Sequence, residues 1–221
     1  MPILYSFRRC PFAIRTRMAI YYSEIGVNLR EVSLKNKPQE MLDISPKGTV
    51  PVLQTSSFTL EESMEIILWA LNKSDTMNLL NPYKKEREKT LAMIDLFDEK
   101  FKYSLDRYKY SSKFSNVDIN GFKIRHRDNA MQYIKLLEQK LKDCSVYIYE
   151  DKLSILDICI FPFVRQYRIA DINWFDSLSE IPFTKKWLIN ILEKKVFKKI
   201  MVKYKEWKVT EKSYLFKKDI L

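Results

Sequence analysis

A cysteine near the start of the chain has surroundings that favour a reactive thiol. Cys10 stands directly before Pro11 and follows a short apolar run, Pro2 to Phe7, which predicts a strand leading into a helix. Because proline favours the first turn of a helix, Cys10 is predicted to be the capping residue. The helix dipole and the charges of Arg8 and Arg9 would stabilise a thiolate there and lower the pKa of the thiol below its free value of roughly 8.5. The pattern predicts a nucleophile at neutral pH, although a small buried cysteine would have the same sequence signature.

The chain is poorly supplied with other kinds of catalytic group. It has three glycines, one histidine and three cysteines. No glycine-rich phosphate loop and no zinc-ligand cluster can be assembled, so no metal is predicted, and a Ser-His-Asp triad would need His126. A lone histidine is more often structural. The residue three after Cys10 is Ala13, which excludes a Cys-x-x-Cys redox pair. Cys144 and Cys159 are predicted to be inert.

The composition is that of a globular protein with a basic second part. No apolar run approaches the ~20 residues of a membrane span and no signal segment precedes the first strand, so we expect a cytoplasmic protein without membrane association. Nearly all of the net charge of +11 lies after residue 80, much of it between Lys185 and Lys208, where Trp187, Phe197, Tyr204 and Trp207 are interspersed. Such a stretch could bind nucleic acid, but a helix with buried aromatics and solvated lysines is the favoured interpretation.

The elements that must position Cys10 alternate between strands and helices. Their order, β-α-β-α-β-β-α, predicts a mixed four-stranded sheet flanked by helices in a domain spanning residues 1–75. A polar stretch from Asp75 to Pro82 predicts a linker.

The remainder of the chain has helical periodicity. Apolar residues recur every three to four positions, which predicts an all-helical domain over residues 83–221. Within this domain, Ser154 and Asp157 predict a capping box at the start of a buried helix. Pro162 predicts that this helix bends or breaks.

Five segments carry a resemblance to a known family. They are RRCPFAIRTR at 8–17, LKNKP at 34–38, GTVPVL at 48–53, EES at 61–63 and SILDICIFPF at 154–163. In this order they resemble the glutathione S-transferases, and within them the omega-like branch that carries a cysteine. The resemblance covers both predicted domains. It implies an α/β thioredoxin-like N-terminal domain followed by an all-α domain, glutathione as co-substrate, and a homodimer.

The resemblance implies a glutathione-binding site around Cys10. It places the backbone of Val50, ahead of a cis peptide bond to Pro51, against the cysteinyl part of glutathione. Glu62 and Ser63, at the start of a helix, are placed against the ammonium and the carboxylate of the γ-glutamyl group.

Two further residues complete the implied site. Lys37 is placed near the glycyl carboxylate, and Phe12 lines the pocket beside the sulfur. Each residue also has an ordinary structural interpretation: Ser63 as a helix cap, Glu62 as a first-turn acid, Lys37 as a solvated charge and Pro51 as a trans proline. Their joint occurrence at family positions favours the functional interpretation, and for Lys37 the two interpretations are balanced.

The predicted chemistry is that of a thioltransferase. A Cys10 thiolate attacks a glutathionylated or otherwise oxidised substrate, forms a mixed disulfide with glutathione, and is released by free glutathione. The resemblance also implies dehydroascorbate reduction and weak conjugation of electrophiles. Two alternatives stay open: conjugation through Tyr5 or Ser6, and a non-catalytic macromolecule-binding protein that docks through its basic C-terminal helices.

Overall fold

The chain forms two compact units in a computed structural model. The described residues are 1–114, 118–144, 146–209 and 211–218. The first unit comprises Met1–Asn78 and Lys194–Leu221, and the second comprises Leu79–Glu193. The sequence predicted domains over 1–75 and 83–221, so the structure differs in grouping the C-terminal segment with the first unit.

The first unit is built around a mixed sheet. Its strands are β1 (Ile3–Ser6), β2 (Val27–Glu31), β3 (Val52–Gln54), β4 (Thr59–Leu60) and β5 (Tyr214–Phe216), and its helices are α1 (Pro11–Tyr22), α2 (Gln39–Ile44), α3 (Ser63–Lys73) and α11 (Lys195–Ile200). The strand order is β4-β3-β1-β2-β5. Strands β1 and β2 are parallel, and the other neighbouring pairs are antiparallel. Because β1 and β3 are adjacent and antiparallel, the loop after β1 and the segment before β3 lie at the same end of the two strands.

Local sequence explains the strand and helix next to Cys10. Three consecutive residues of the central strand β1 are buried, as a strand covered on both faces requires. Helix α1 begins at Pro11, which confirms the predicted start. The helix is buried on nearly every side, and the buried residues include Arg15 and Arg17.

The sheet has five strands, so the prediction of four was wrong. Strand β5 pairs antiparallel with β2, with Val27 opposite Phe216 and Leu29 opposite Tyr214. Phe216 is buried whereas Leu215 is exposed, as alternation along an edge strand requires. A three-residue strand in a lysine-rich stretch has too short an apolar pattern to be recognised without its partner β2.

The second unit is helical. Its helices are α4 (Asn81–Lys85), α5 (Arg87–Asp95), α6 (Lys102–Lys109), α7 (Ile119–Cys144), α8 (Ile155–Ala170), α9 (Ile172–Ser177) and α10 (Pro182–Glu193). A π-helical turn over Leu96–Phe101 joins α5 to α6. The predicted linker contributes two buried residues, Leu79 and Leu80. None of the helices within the described ranges is long and apolar enough to span a bilayer.

Helix α8 begins with the predicted capping box. The hydroxyl of Ser154 accepts from the backbone at Asp157 while the Asp157 carboxylate accepts from the backbone N–H of Ser154, which confirms the motif. Pro162 was predicted to bend or break the helix; the break was wrong, because α8 continues through Pro162 to Ala170, and the bend stays a prediction. Nearly the whole helix is buried among apolar neighbours, and this packing offsets the lost hydrogen bond.

Candidate functional site

Cys10 lies between the end of β1 and the start of α1. It is the capping residue ahead of Pro11, and its backbone N–H donates to the Phe7 carbonyl at 3.0 Å. The half-buried thiol donates to the carbonyl oxygen of Val50, with a sulfur–oxygen distance of 3.5 Å. The sulfur therefore faces the positive end of α1 on one side and the backbone before β3 on the other.

The backbone opposite the sulfur is held in an apolar cluster. The peptide bond between Val50 and Pro51 is cis. The buried cluster residues are Tyr5, Val32, Met41, Val50, Val52 and Trp207, with Phe7 and Cys10 packed against them. The loop carrying the thiol and the segment carrying its acceptor thus share one core.

Trp207 brings the C-terminal segment into this cluster. Its backbone N–H donates to the Glu31 carbonyl at 2.7 Å, and its ring Nε1–H donates to the Glu211 carbonyl at 2.9 Å. The Arg30 guanidinium lies 3.9 Å from the centroid of the indole ring, within cation–π range. In the sequence, Trp207 lies in a lysine-rich stretch. The local pattern there does not predict which part of the hydrophobic core the indole ring joins.

Glu62 caps α3 and also forms an ion pair. It makes a capping box with Glu65, and its carboxylate accepts a hydrogen bond from Lys47 Nζ at 2.7 Å. The hydrogen bond that Lys47 donates to this carboxylate raises the pKa of Lys47. Both side chains are exposed, so the pair contributes little to stability. Lys47 was not among the predicted site residues.

Ser63 is connected to Phe12 through a buried arginine that the sequence did not single out. Arg15 donates to Ser63 Oγ from Nε at 3.0 Å and from Nη2 at 2.7 Å. The same guanidinium lies 4.8 Å from the centroid of the Phe12 ring. A cation within an otherwise apolar helix was the available signal, but sequence alone could not tell this buried side chain from an exposed one.

Lys37 lies beside the segment that leads to Val50. Gly48 has a φ of +59°, a conformation that favours glycine. A Cβ at this glycine would lie 3.2 Å from Lys37 Nζ and 3.1 Å from Leu42 Cδ2, which is closer than ordinary packing. The glycine therefore lets the Lys37 ammonium rest against the loop before β3.

A second buried arginine fixes the loop around Cys10. Arg17 donates to Ser6 Oγ, to the Arg8 carbonyl at 2.7 Å and to the Phe7 carbonyl at 3.5 Å. It also donates to the Ile200 carbonyl at the end of α11, at 3.0 Å. One guanidinium thus joins the segment just before Cys10 to the end of α11.

Arg17 interacts electrostatically with the thiol. Burial lowers the pKa of Arg17 to about 10, while the charges of Glu31 and Cys10 oppose that shift. Glu31 is itself tied to the loop, because it accepts from the Arg8 backbone N–H at 2.6 Å. Burial raises the pKa of Glu31 in spite of this hydrogen bond and of the Arg17 charge. The sequence had pointed to Arg8 and Arg9 as the nearby cations.

Tyr5 and Ser6 point into the core of the first unit. The Tyr5 hydroxyl accepts from Arg30 Nη1 at 2.6 Å, and burial raises the pKa of this hydroxyl. Ser6 is fully buried and accepts from Arg17. Both hydroxyls therefore accept hydrogen bonds from arginines.

His126 lies on α7 in the second unit, enclosed by aromatic rings. The ring centroids of Phe122 and Tyr103 are 4.5 and 5.9 Å from that of His126. The side chain is 9% exposed, and its Nδ1 has no hydrogen-bond partner among the described residues. Burial lowers the pKa of His126, and the charges of Arg107 and Arg125 add to that effect.

The remaining cysteines are separate from Cys10. Cys144 is half-buried at the end of α7, and Cys159 is buried within α8. No disulfide joins the three cysteines, all of which lie in described parts of the chain. The described residues also contain no group of three or more His, Cys, Asp or Glu side chains suited to a metal ion.

The N-terminal part of the chain matches a known family. Residues 4–77 fit the glutathione S-transferase N-terminal domain. The omega-1 glutathione S-transferase of Sus scrofa is 26% identical over 193 residues, which cover 86% of this chain and 76% of that protein.

Two solved structures share the fold. Glutathione transferase Omega 3C from Trametes versicolor superposes with a TM-score of 0.73 at 19% identity, covering 88% of this chain and 82% of that one. A glutathione transferase family member from Pseudomonas fluorescens, solved with two glutathione bound, has a TM-score of 0.78 at 17% identity and covers 90% and 92%.

The fold is that of the glutathione transferases, a thioredoxin-like unit combined with a helical one, and the predicted fold class is confirmed apart from the strand count. Residues 4–77 match the glutathione S-transferase N-terminal domain, and the chain as a whole is similar to omega-class glutathione S-transferases.

Proposed function

We propose that this protein is a glutathione-dependent thioltransferase with Cys10 as its nucleophile. The observation that carries the proposal is the position of the sulfur, at the N-terminus of α1 and 3.5 Å from the Val50 carbonyl. A thiol at a helix N-terminus gains stabilisation of its anionic form from the dipole and the free N–H groups. The interaction between Arg17 and Cys10 is mutual, so the buried cation also favours the thiolate.

The reaction takes place in two exchanges. In the first, the Cys10 thiolate attacks the glutathionyl sulfur of a mixed disulfide; a new disulfide forms between Cys10 and glutathione, and the substrate leaves as a thiolate. In the second, the thiolate of a free glutathione attacks the glutathionyl sulfur of that disulfide, which regenerates the Cys10 thiolate and releases glutathione disulfide. The net reaction consumes one free glutathione: the substrate leaves as a thiol, and the glutathionyl group that it carried leaves with the free glutathione as glutathione disulfide. With Ala13 in place of a resolving cysteine, the second thiol must come from glutathione.

The proposed cradle for glutathione surrounds the sulfur. The Val50 backbone would pair with the cysteinyl residue, as an added strand pairs with a sheet edge, next to Pro51. Glu62 would bind the γ-glutamyl ammonium, and its exposed ion pair with Lys47 offers a partner that the ligand can replace.

The remaining contacts complete the proposed cradle. Ser63 and the N-terminus of α3 would bind the γ-glutamyl carboxylate. Lys37, beside Gly48, would bind the glycyl carboxylate. Phe12 would pack beside the sulfur.

The acceptor would be a small-molecule or protein disulfide, with deglutathionylation as the main activity and dehydroascorbate reduction as a further one. Conjugation of electrophiles through Tyr5 or Ser6 is the weaker candidate, because both hydroxyls are buried and engaged by arginines. We also propose a cytoplasmic homodimer, which light scattering of the purified protein would test.

Replacing the cysteine tests the nucleophile. In a glutathione-coupled assay with 2-hydroxyethyl disulfide, Cys10→Ala is expected to abolish turnover while calorimetry still detects glutathione binding. Cys144→Ala, which removes a half-buried cysteine on the second unit, is the matched control and should retain full activity. Unchanged turnover in Cys10→Ala would falsify the assignment, and retained or increased conjugation of chlorodinitrobenzene in that variant would favour the conjugation alternative.

Mass analysis tests the covalent intermediate directly. After brief exposure to glutathione disulfide, the protein should gain a single glutathione, mapped to Cys10 and absent from Cys144 and Cys159.

A binding-only role for the basic C-terminal stretch predicts instead salt-sensitive retention on heparin. This retention would be lost when four lysines are neutralised together: Lys194, Lys195, Lys198 and Lys199.

A further inference from the structure

Arg15 makes an unusual contact with the first residue of α3. Two of its nitrogens, Nε and Nη2, donate to one oxygen, Ser63 Oγ, at 3.0 and 2.7 Å. Arg15 is 2% exposed and Ser63 is 4% exposed, so solvent competes little for these hydrogen bonds. The guanidinium also stacks near the Phe12 ring at 4.8 Å, which restricts its position.

This contact determines which way the serine hydroxyl can act. A hydroxyl has two acceptor lone pairs and one hydrogen to donate. The two arginine N–H groups occupy the acceptor capacity of Ser63 Oγ. Within the described parts of the chain, the Ser63 hydroxyl donates no hydrogen bond to a protein acceptor. Its hydrogen is therefore directed away from Arg15 and is available to an acceptor outside the protein.

The surroundings select a negatively charged acceptor. Ser63 is the first residue of α3, an eleven-residue helix, so the positive end of the helix dipole lies at this hydroxyl. The Arg15 guanidinium donates to the same oxygen and so further increases the partial positive charge on the hydroxyl hydrogen. A carboxylate oxygen is the acceptor that gains most from such a donor.

We propose that Arg15 is a positioning residue that fixes the Ser63 hydroxyl as a hydrogen-bond donor to the α-carboxylate of the γ-glutamyl group. This inference rests on the proposed glutathione-dependent function. Because Arg15 acts through Ser63, its loss should weaken recognition of that carboxylate and leave the sulfur chemistry intact. The effect should therefore appear in KM for glutathione, with kcat at saturating glutathione nearly unchanged.

A pair of ligands separates this role from general support of the fold. The probes are S-methylglutathione and S-methylated 4-aminobutyryl-cysteinyl-glycine, which lacks only the α-carboxylate of the glutamyl group. Both have a blocked sulfur, so calorimetry measures binding without disulfide exchange. The wild-type protein is expected to bind S-methylglutathione about 10- to 100-fold more tightly, the range of a hydrogen bond to a charged group.

The variants test whether arginine and serine act as one unit. Arg15→Met and Ser63→Ala should each reduce the preference for S-methylglutathione about tenfold, and the double variant should reduce it no further. Arg15→Lys keeps the charge with a single donor group and should retain part of the preference. Arg87→Met removes an exposed arginine of the second unit and should match the wild type.

The outcomes are distinguishable. Equal loss of affinity for both ligands in Arg15→Met, or additive effects in the double variant, would show that Arg15 only supports the fold and would overturn the inference. If Arg15→Met fails to fold, Arg15→Lys with and without Ser63→Ala provides the same comparison. If the wild-type protein binds neither ligand, the proposed function itself fails and this inference fails with it.

Discussion

The described residues of the first unit bury two arginines and one acid, Glu31, whereas the buried charged groups described in the second unit are acids. In the first unit the buried charged groups include Arg15 and Arg17, and in the second they include Glu138 and Asp157. Asp157 accepts hydrogen bonds from four donors: the backbone N–H groups of Ile148 and Ser154, the Ser154 hydroxyl and Trp187 Nε1.

Glu138 has a similar role to Asp157. It accepts from the backbone N–H groups of Phe183 and Thr184, at 3.0 and 2.7 Å. These carboxylates accept hydrogen bonds from donors at helix starts and in loops, so they have a scaffold role: they stabilise the fold of the second unit. The arginines instead donate to the loop before Cys10 and to the start of α3, the two segments that carry the proposed glutathione site. The burial of a charged side chain therefore does not by itself indicate a functional role. The groups that the buried charge contacts are the better indicator.

The largest expected effect tests whether a buried acid of the second unit has the scaffold role of stabilising the fold. Asp157→Ala should lower the free energy of unfolding by about 3–5 kcal/mol, because four buried donors lose their acceptor. Urea denaturation followed by circular dichroism measures the change. Asp143→Ala, an exposed acid on α7, is the control and should change stability by less than about 0.5 kcal/mol. A loss below about 1 kcal/mol for Asp157→Ala would contradict the scaffold role.

For a buried arginine of the first unit, we expect a smaller loss of stability together with a change in the reactivity of Cys10. Arg17→Met should destabilise the protein by about 2 kcal/mol, since buried carbonyls at the cysteine loop lose their donor. It should also slow alkylation of Cys10 by iodoacetamide at neutral pH by about threefold or more, because the thiolate loses a nearby cation. Rates followed across pH, on a Cys144→Ala background, provide the measurement. An unchanged alkylation profile would mean that Arg17 belongs with the scaffold charges.

The smallest expected effect concerns His126, a buried group packed against the rings of Phe122 and Tyr103. Burial lowers the pKa of His126 in the folded protein, so the unfolded chain takes up a proton at higher pH than the folded one. Stability should therefore fall, by less than about 1 kcal/mol, as the pH drops from about 7.5 through the ordinary histidine value of about 6.5 to the lowered one. Thermal unfolding of the wild type and of His126→Phe, at about pH 7.5 and about pH 5, isolates this contribution. Equal pH dependence in both proteins would exclude it.

The features that sequence predicted well depend on residues close together along the chain. The helix start at Pro11 and the capping box of Ser154 and Asp157 are local patterns with a local physical cause. The mixed sheet of the first unit followed from the alternation of strands and helices along the chain.

The features that sequence missed depend on distant partners. Nothing near Arg15 or Arg17 reveals that their guanidinium groups are buried, since that depends on α3 and on the end of α11. Strand β5 is defined by β2, which is far away in sequence. Pro162 was expected to bend or break its helix, and the tertiary packing that supports an unbroken α8 is invisible in the local pattern.

The pairing of β5 with β2 affects how the chain is made. Because the first unit includes Lys194 and the residues after it, the outer edge of β2 stays uncovered in a growing polypeptide until Tyr214–Phe216 has been synthesised. An uncovered edge is a template for pairing with another chain. The nascent first unit is therefore the stage at which we expect this protein to depend most on chaperones, and a stop codon before Tyr214 should yield protein that aggregates rather than a smaller active enzyme.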